Sequence, residues 1–191
     1  MDTREQILDA ARRCLLDGGY AGLSTRRIAE AAGLGLGHIH YHFGSKGNLL
    51  LAVLAEENER LLERQRQMYG DDVPLWKQWE QACDFLDDDL RSGYVRVLQE
   101  LAAAGWSDPK IAAAVRSFLR RWYDLLAEVA GRVERRLGTL GPFTAAEVAA
   151  LAGDAFLGAE TMLLLGVTDD EVPHRSALRR IGRWIRELEE S

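Results

Sequence analysis

Residues 24–46 read STRRIAEAAGLGLGHIHYHFGSK, and the glycine at position 33 divides them into two short helical stripes. Two short helices joined by a glycine-centred turn are what a helix-turn-helix requires. Ser24 predicts an N-cap, with Leu23 and Ile28 placed as a hydrophobic staple across it. Ile28 and Ala29 provide the small and apolar inner face of the first helix, and Gly33 supplies a left-handed stop. Ile39 and Phe43 pin the second helix from beneath, which leaves Leu36, Gly37, His38, Tyr41 and His42 facing outward.

The rest of the chain carries the same helical punctuation and no alternating strand pattern, so the fold class is all-α with about nine helices. The first helix is expected to start at Thr3, whose spacing to Gln6 matches a capping box, and to bury Ile7, Ala11, Cys14 and Leu15 before Gly18-Gly19. Ser45 predicts the cap of a long fourth helix. Asp72 with Pro74 and Asp108 with Pro109 mark further starts, as proline tolerates the first turn. Thr144 and Glu147 repeat the capping-box pattern, stapled by Phe143 and Val148. The helix they open is apolar on more than one side as far as Gly166, so it must be covered broadly. A final helix begins near Pro173, and there is no internal repeat.

The 191 residues carry a net charge of −6, which argues against phosphate binding until its distribution is considered. Residues 1–47 hold six Arg or Lys against five acids, so a slightly basic head precedes an acidic body. No apolar run approaches the roughly 18 residues of a membrane span, and a cytoplasmic protein with no membrane partner is expected. Cys14 and Cys83 fall at helical core positions and read as reduced packing residues.

A recognition helix presents its N-terminal residues to base edges while surrounding groups hold phosphates. Gly35 and Gly37 remove bulk where backbone meets duplex, Leu36 suits a thymine methyl, and His38 suits a base acceptor. Tyr41 and His42 are placed for phosphate oxygens. Thr25, Arg26, Gly35 and Lys46 lie at helix starts, where free N–H groups attract phosphate.

Residues 4–54 resemble the DNA-binding signature of the TetR (tetracycline repressor) family. The matching elements are Gly19-Tyr20, Ser24-Thr25, Ile28-Ala29, Ala32-Gly33-Leu34 and Tyr41-His42-Phe43-Gly44-Ser45-Lys46. The chain departs from that pattern at Gly35, Leu36, His40 and Gly47, which leaves direct base reading poor in hydrogen bonds. The resemblance implies a helix-turn-helix domain at 1–46 and a ligand-binding and dimerisation domain at 47–191. It implies a homodimer on a palindromic double-stranded DNA operator, more often a repressor than an activator. It also implies release by a small-molecule effector that tilts the fourth helix, with no cofactor.

Trp76, Trp79, Cys83, Tyr94, Phe118, Trp122 and Tyr123 are candidates for lining an effector cavity and would favour an apolar or aromatic molecule. Ala149, Ala152, Phe156, Ala159 and Leu163, with Leu178, Ile181, Ile185 and Leu188, are the candidates for the dimer interface implied by the resemblance.

Competing readings are weaker. His38 and His42 share a helical face, but no carboxylate or cysteine near them in sequence completes a metal site. His40 is expected to be partly packed. No nucleophile–base pair, phosphate loop or paired ligand motif supports an enzyme, and Glu160 reads as a polar contact at a pocket or dimer edge. Asp87-Asp88-Asp89 reads as a solvated helix end, and the arginines of the last helix as solvated or paired. A protein-binding helical adaptor is the third alternative.

Overall fold

A computed structural model describes residues 2–70 and 73–190. Among them it has nine helices and no strand: α1 Thr3–Gly18, α2 Thr25–Ala32, α3 Leu36–Phe43, α4 Lys46–Met68, α5 Leu75–Ser92, α6 Tyr94–Gly105, α7 Pro109–Leu137, α8 Ala145–Leu164 and α9 His174–Glu190. Asp72 lies outside the described residues. None of the described helices is long and apolar enough to cross a membrane.

Local chemistry accounts for most of the boundaries. Ser24 Oγ accepts from the Arg27 N–H at 3.1 Å, and Gly33 ends α2 in the left-handed region. Ser45 Oγ accepts from Asn48 N–H at 3.2 Å, and Thr144 and Glu147 form the reciprocal capping box. At the start of α1 the cap lies one residue earlier than expected: Asp2 and Glu5 make the box, not Thr3 and Gln6. An aspartate beside the helix start outcompetes the threonine because its carboxylate also meets the positive end of the helix dipole. Phe143 stays 46% exposed, so it is a poor staple for α8.

The described chain divides into two compact units, residues up to Arg60 with Arg96–Phe118, and Leu61–Val95 with the residues from Leu119 onward. In the first, α1, α2 and α3 pack on one another, and Ile7, Leu15, Ile28, Ile39, Leu49 and Leu50 are fully buried. In the second, α5 packs against α8 and α9. Cys83, Leu86, Ala159 and Leu178 form a core there, flanked by Trp79, Leu90, Phe156 and Leu163.

Gly153 on α8 shows how closely α7 and α8 approach. A β-carbon there would overlap the Tyr123 ring, whose hydroxyl is held by Asp154. Gly153→Ala is therefore expected to cost about 1–3 kcal/mol by overpacking. Thermal unfolding of the variant measures this, and an unchanged midpoint would mean that the ring moves aside freely.

Candidate nucleic-acid interface

The α2–α3 pair presents an accessible face of mixed chemistry. Ile39 and Phe43 are buried as expected, while Leu36, Gly37 and His38 are exposed and Tyr41 is 86% exposed. The His38 ring meets the Gly35 carbonyl at 3.3 Å, and the Tyr41 ring stands edge-on to His42 at 5.1 Å. His42 is half-buried, and His40 is exposed rather than packed, with its ring against the Gly44 carbonyl at 3.2 Å.

Gly35 and Gly37 have no folding reason to be glycine. Gly35 takes an ordinary φ of −71°, no glycine-only conformation occurs at Gly37, and a β-carbon at Gly37 would meet nothing. The start of α3 also lacks a side-chain cap; the His38 N–H turns back to the Gly35 carbonyl at 3.0 Å, and the Leu36 and Gly37 N–H groups are left for an external acceptor.

The cationic side chains of this head divide into two uses. Arg12 pairs with Glu57 at 3.0 Å, and Arg27 donates to the Gly22 carbonyl at 3.4 Å, both serving the fold. Arg26 is the opposite case, 87% exposed beside Thr25 and loosely paired with Glu30 at 3.8 Å. Lys46 was placed at the surface by the sequence but is partly withdrawn. Its ammonium donates to the Tyr20 carbonyl at 3.3 Å and lies 4.4 Å from the Tyr20 ring centroid, with its pKa lowered by burial.

That lysine belongs to a clamp on the corner after α1. Gly19 adopts φ 64°, ψ −177°, a region essentially closed to other residues. A β-carbon on Gly19 would come within 2.8 Å of the Glu100 carboxylate, which accepts the Tyr20 N–H at 2.9 Å. Tyr20 is thus held through its N–H by α6 and through its carbonyl by α4. Glu100 was not found from the sequence, because nothing local connects it to a backbone N–H eighty residues away.

The remaining candidates spread over several environments. Within the second unit, Trp79 and Cys83 join the α5–α8–α9 core, where the Trp79 indole donates to the Leu178 carbonyl at 2.7 Å and burial pushes the Cys83 thiol up to about 11. Trp122 donates to Gln65 at 2.8 Å, and Trp76 lies under Arg186 at 4.8 Å. Tyr94 is buried, and Tyr123 lies against Gly153. Phe118 is buried in the first unit.

Of the proposed interface residues, Ala149, Ala159 and Leu178 are buried within the chain itself and cannot meet a partner. Ala152, Phe156, Leu163 and Ile185 are half-buried, and Ile181 and Leu188 are exposed. The outward stripe of α8 is a different one: Leu151, Ala155, Gly158, Met162 and Leu165. On α9, Ala177, Ile181, Trp184 and Leu188 are exposed at similar spacing.

The acidic run is not simply solvated. Asp89 is buried and paired with Arg64 at 2.8 Å, Asp87 meets Arg175 at 2.8 Å, and Asp88 pairs with Arg91. Arg64 is long enough to cross from α4 and stack on Phe85 at 4.1 Å while holding Asp89. On α8, one carboxylate oxygen of Glu160 is sealed from solvent with no hydrogen-bond partner, and burial together with the Asp89 charge pushes its pKa up to about 8.

Comparison with known proteins places this geometry. Residues 7–53 match the model for bacterial regulatory proteins of the tetR family. The chain is 45% identical over 62 residues to the HTH-type transcriptional repressor AcnR of Corynebacterium glutamicum, a match covering 32% of this chain and 33% of that protein. The match therefore spans about a third of that relative's length. The fold resembles the fatty acid degradation regulator FadR from Bacillus halodurans, with a TM-score of 0.81 and 17% identity over 97% of this chain and 95% of that one. It also resembles a transcriptional regulator from Saccharomonospora viridis solved in complex with choline, with a TM-score of 0.76 and 23% identity over 93% of each chain. The helix-turn-helix part of the chain, residues 7–53, thus belongs with the tetR family of bacterial regulatory proteins, and the chain as a whole shares its fold with solved transcriptional regulators.

Proposed function

We propose that the protein is a cytoplasmic, DNA-binding transcription regulator, a repressor that grips a palindromic operator as a homodimer and is released by a small molecule. The observation that carries this reading is the α3 face. It combines two glycines that the fold does not require, an uncapped helix start and a fully presented tyrosine, which suits close approach to a duplex backbone. Thr25, Arg26, Gly35, Tyr41 and His42 serve phosphates, and Leu36, Gly37 and His38 face base edges. Lys46 acts chiefly by setting the Tyr20 corner.

Homodimerisation is supported by the outward stripes of α8 and α9. Leu151, Ala155, Gly158, Met162 and Leu165 repeat at alternating steps of four and three, the spacing of a helix seam, with small residues at its centre. The division at residue 46 is read as functional, with 1–46 contacting DNA and 47–191 receiving the effector and the second copy. The second unit, which carries Trp76, Trp79, Cys83, Tyr94, Trp122 and Tyr123, remains the proposed receptor region, and the choline complex of a similar fold supports a small organic effector.

The test is selection of bound sequences from a random duplex library, followed by affinity at two salt concentrations. Enrichment of a palindrome is expected, and loss of all salt-sensitive binding would reject the regulator in favour of a protein-binding adaptor. Arg26→Ala is expected to weaken every sequence alike and lower the salt slope by about 0.9, the release of one counterion. Tyr41→Ala is expected to weaken every sequence without changing the slope, because a phenol carries no charge. His38→Ala is expected to redistribute sequence preference, and an unchanged selected motif would remove His38 from base reading.

A further inference from the structure

Among the described residues of the second unit, Arg64 Nε, His174 Nε2 and Glu160 Oε2 are buried without a hydrogen-bond partner, and of the three Glu160 is the acid. Glu160 stands on α8 one turn after Phe156 and one turn before Leu163, both of which flank the α5–α8–α9 core. One oxygen of its carboxylate is sealed from water and accepts no hydrogen bond. An orphan acceptor of this kind costs stability, so a group that supplies a donor or a positive charge gains what the fold has forgone.

The surroundings specify the kind of group. Asp89 on α5 is also buried, but its charge is already committed to Arg64 of α4, at 2.8 Å. Arg64 in turn lies over Phe85, one turn before Asp89. Both terminal nitrogens of Arg64 are therefore spent on Asp89. On the α8 side, the Phe156 ring packs against Trp79 with centroids 5.4 Å apart. A carboxylate one helical turn from an aromatic pair can receive positive charge on an apolar body, since the carboxylate supplies the counter-charge and ring faces supply cation–π attraction.

We propose that Glu160, backed by Asp89 and flanked by Phe156 and Trp79, binds the charged group of an organic monocation, and that this cation is the effector. The assignment rests on the ligand-responsive reading above and narrows it, since an apolar or aromatic molecule alone would leave Glu160 unsatisfied.

Binding of such a cation requires Glu160 to ionise, which in the free protein it resists up to about pH 8. A permanent cation should thus bind more tightly as the pH rises from 6 to 8, with release of close to one proton near pH 7. His174, whose ring nitrogen Nε2 is also buried without a partner at the start of α9, is separated from the effect by substitution of Glu160 itself.

The experiment is calorimetric titration of the full chain with tetramethylammonium and benzyltrimethylammonium, and with neopentylbenzene as the uncharged isostere of the latter, in two buffers of different ionisation enthalpy. Operator release is measured alongside. The expected result is binding of at least one cation, at least tenfold tighter than the isostere, with proton release. Glu160→Gln, which keeps size and shape, should lower that affinity at least tenfold and abolish the pH dependence, while folding is checked by circular dichroism. Equal affinity for cation and isostere, no binding of either cation, or full affinity in Glu160→Gln would overturn the site. Cation binding with no release of operator would leave the site standing and overturn its role as effector receptor. Release of operator by uncharged molecules alone would leave the regulator standing and overturn the cation.

Discussion

Replacing Leu165 and Trp184 together by glutamate is expected to leave a folded monomer that binds operator at least a hundredfold more weakly than the wild type. Leu165 is 74% exposed and Trp184 60% exposed, so neither substitution removes much of the chain's own core. Both residues extend the outward stripes of α8 and α9. A two-fold interface brings the same patch of both copies together, so each glutamate is introduced twice. Burying one such large side chain contributes about 1.5–3 kcal/mol, and the loss is compounded by desolvation of the new carboxylates. Operator affinity falls because two heads on one dimer share a single site, and separate monomers lose that effective concentration. Analytical ultracentrifugation reports the oligomeric state, and circular dichroism with a melt reports folding. A variant that sediments as wild type would place the dimer elsewhere. The same substitutions at Ala149 or Leu178 would be uninformative, because those residues are buried within the chain and the variants would simply unfold.

This contrast shows what the sequence carries and where it stops. Helix starts were legible because caps are local chemistry: Ser24, Ser45 and Thr144 each bind an N–H three residues on. Buried faces were legible wherever the opposite face is polar, as with Ile7, Ala11, Cys14 and Leu15 on α1. On α8 that contrast vanishes. Ala149, Ala152, Phe156, Ala159 and Leu163 follow the same step pattern as Leu151, Ala155, Gly158, Met162 and Leu165, and periodicity alone does not say which stripe meets α5 and which meets solvent. Trp184 was the missed signal, since a tryptophan three residues after Ile181 and four before Leu188 marks the outward face of α9. Pairings distant in sequence were illegible in principle, including Glu100 with Tyr20 and Arg64 with Asp89. Glu160 was legible as an anomaly, a carboxylate in an apolar helix, but its lack of a partner required the fold.

That anomaly leads to the other large effect. Raising the pH from about 4 to about 8 is expected to destabilise the ligand-free protein by about 4 kcal/mol through Glu160 alone. In the unfolded chain this carboxyl loses its proton near its ordinary value, whereas in the folded chain burial and the Asp89 charge hold the proton up to about pH 8. Between those values the folded state binds the extra proton. Stability due to this group is therefore complete at acid pH, falls through the window and levels off above it. Glu147 is held below its usual range by hydrogen bonds from Thr144, Asp169 by the Ser176 hydroxyl and the first N–H groups of α9, and Glu171 by Thr168 in the preceding turn, so they act in the opposite sense and at lower pH. Glu160→Gln removes the proton and leaves those groups in place, so the difference between variant and wild type isolates the one carboxyl. Denaturant unfolding at a series of pH values should show the curves meeting near pH 4 and the variant more stable by pH 8. Parallel curves would mean that Glu160 finds solvent or a partner in the folded state. A cation that binds the ionised carboxylate should flatten the wild-type curve and leave the variant's curve unmoved, linking the effector to a buried carboxyl that the fold itself leaves unsatisfied.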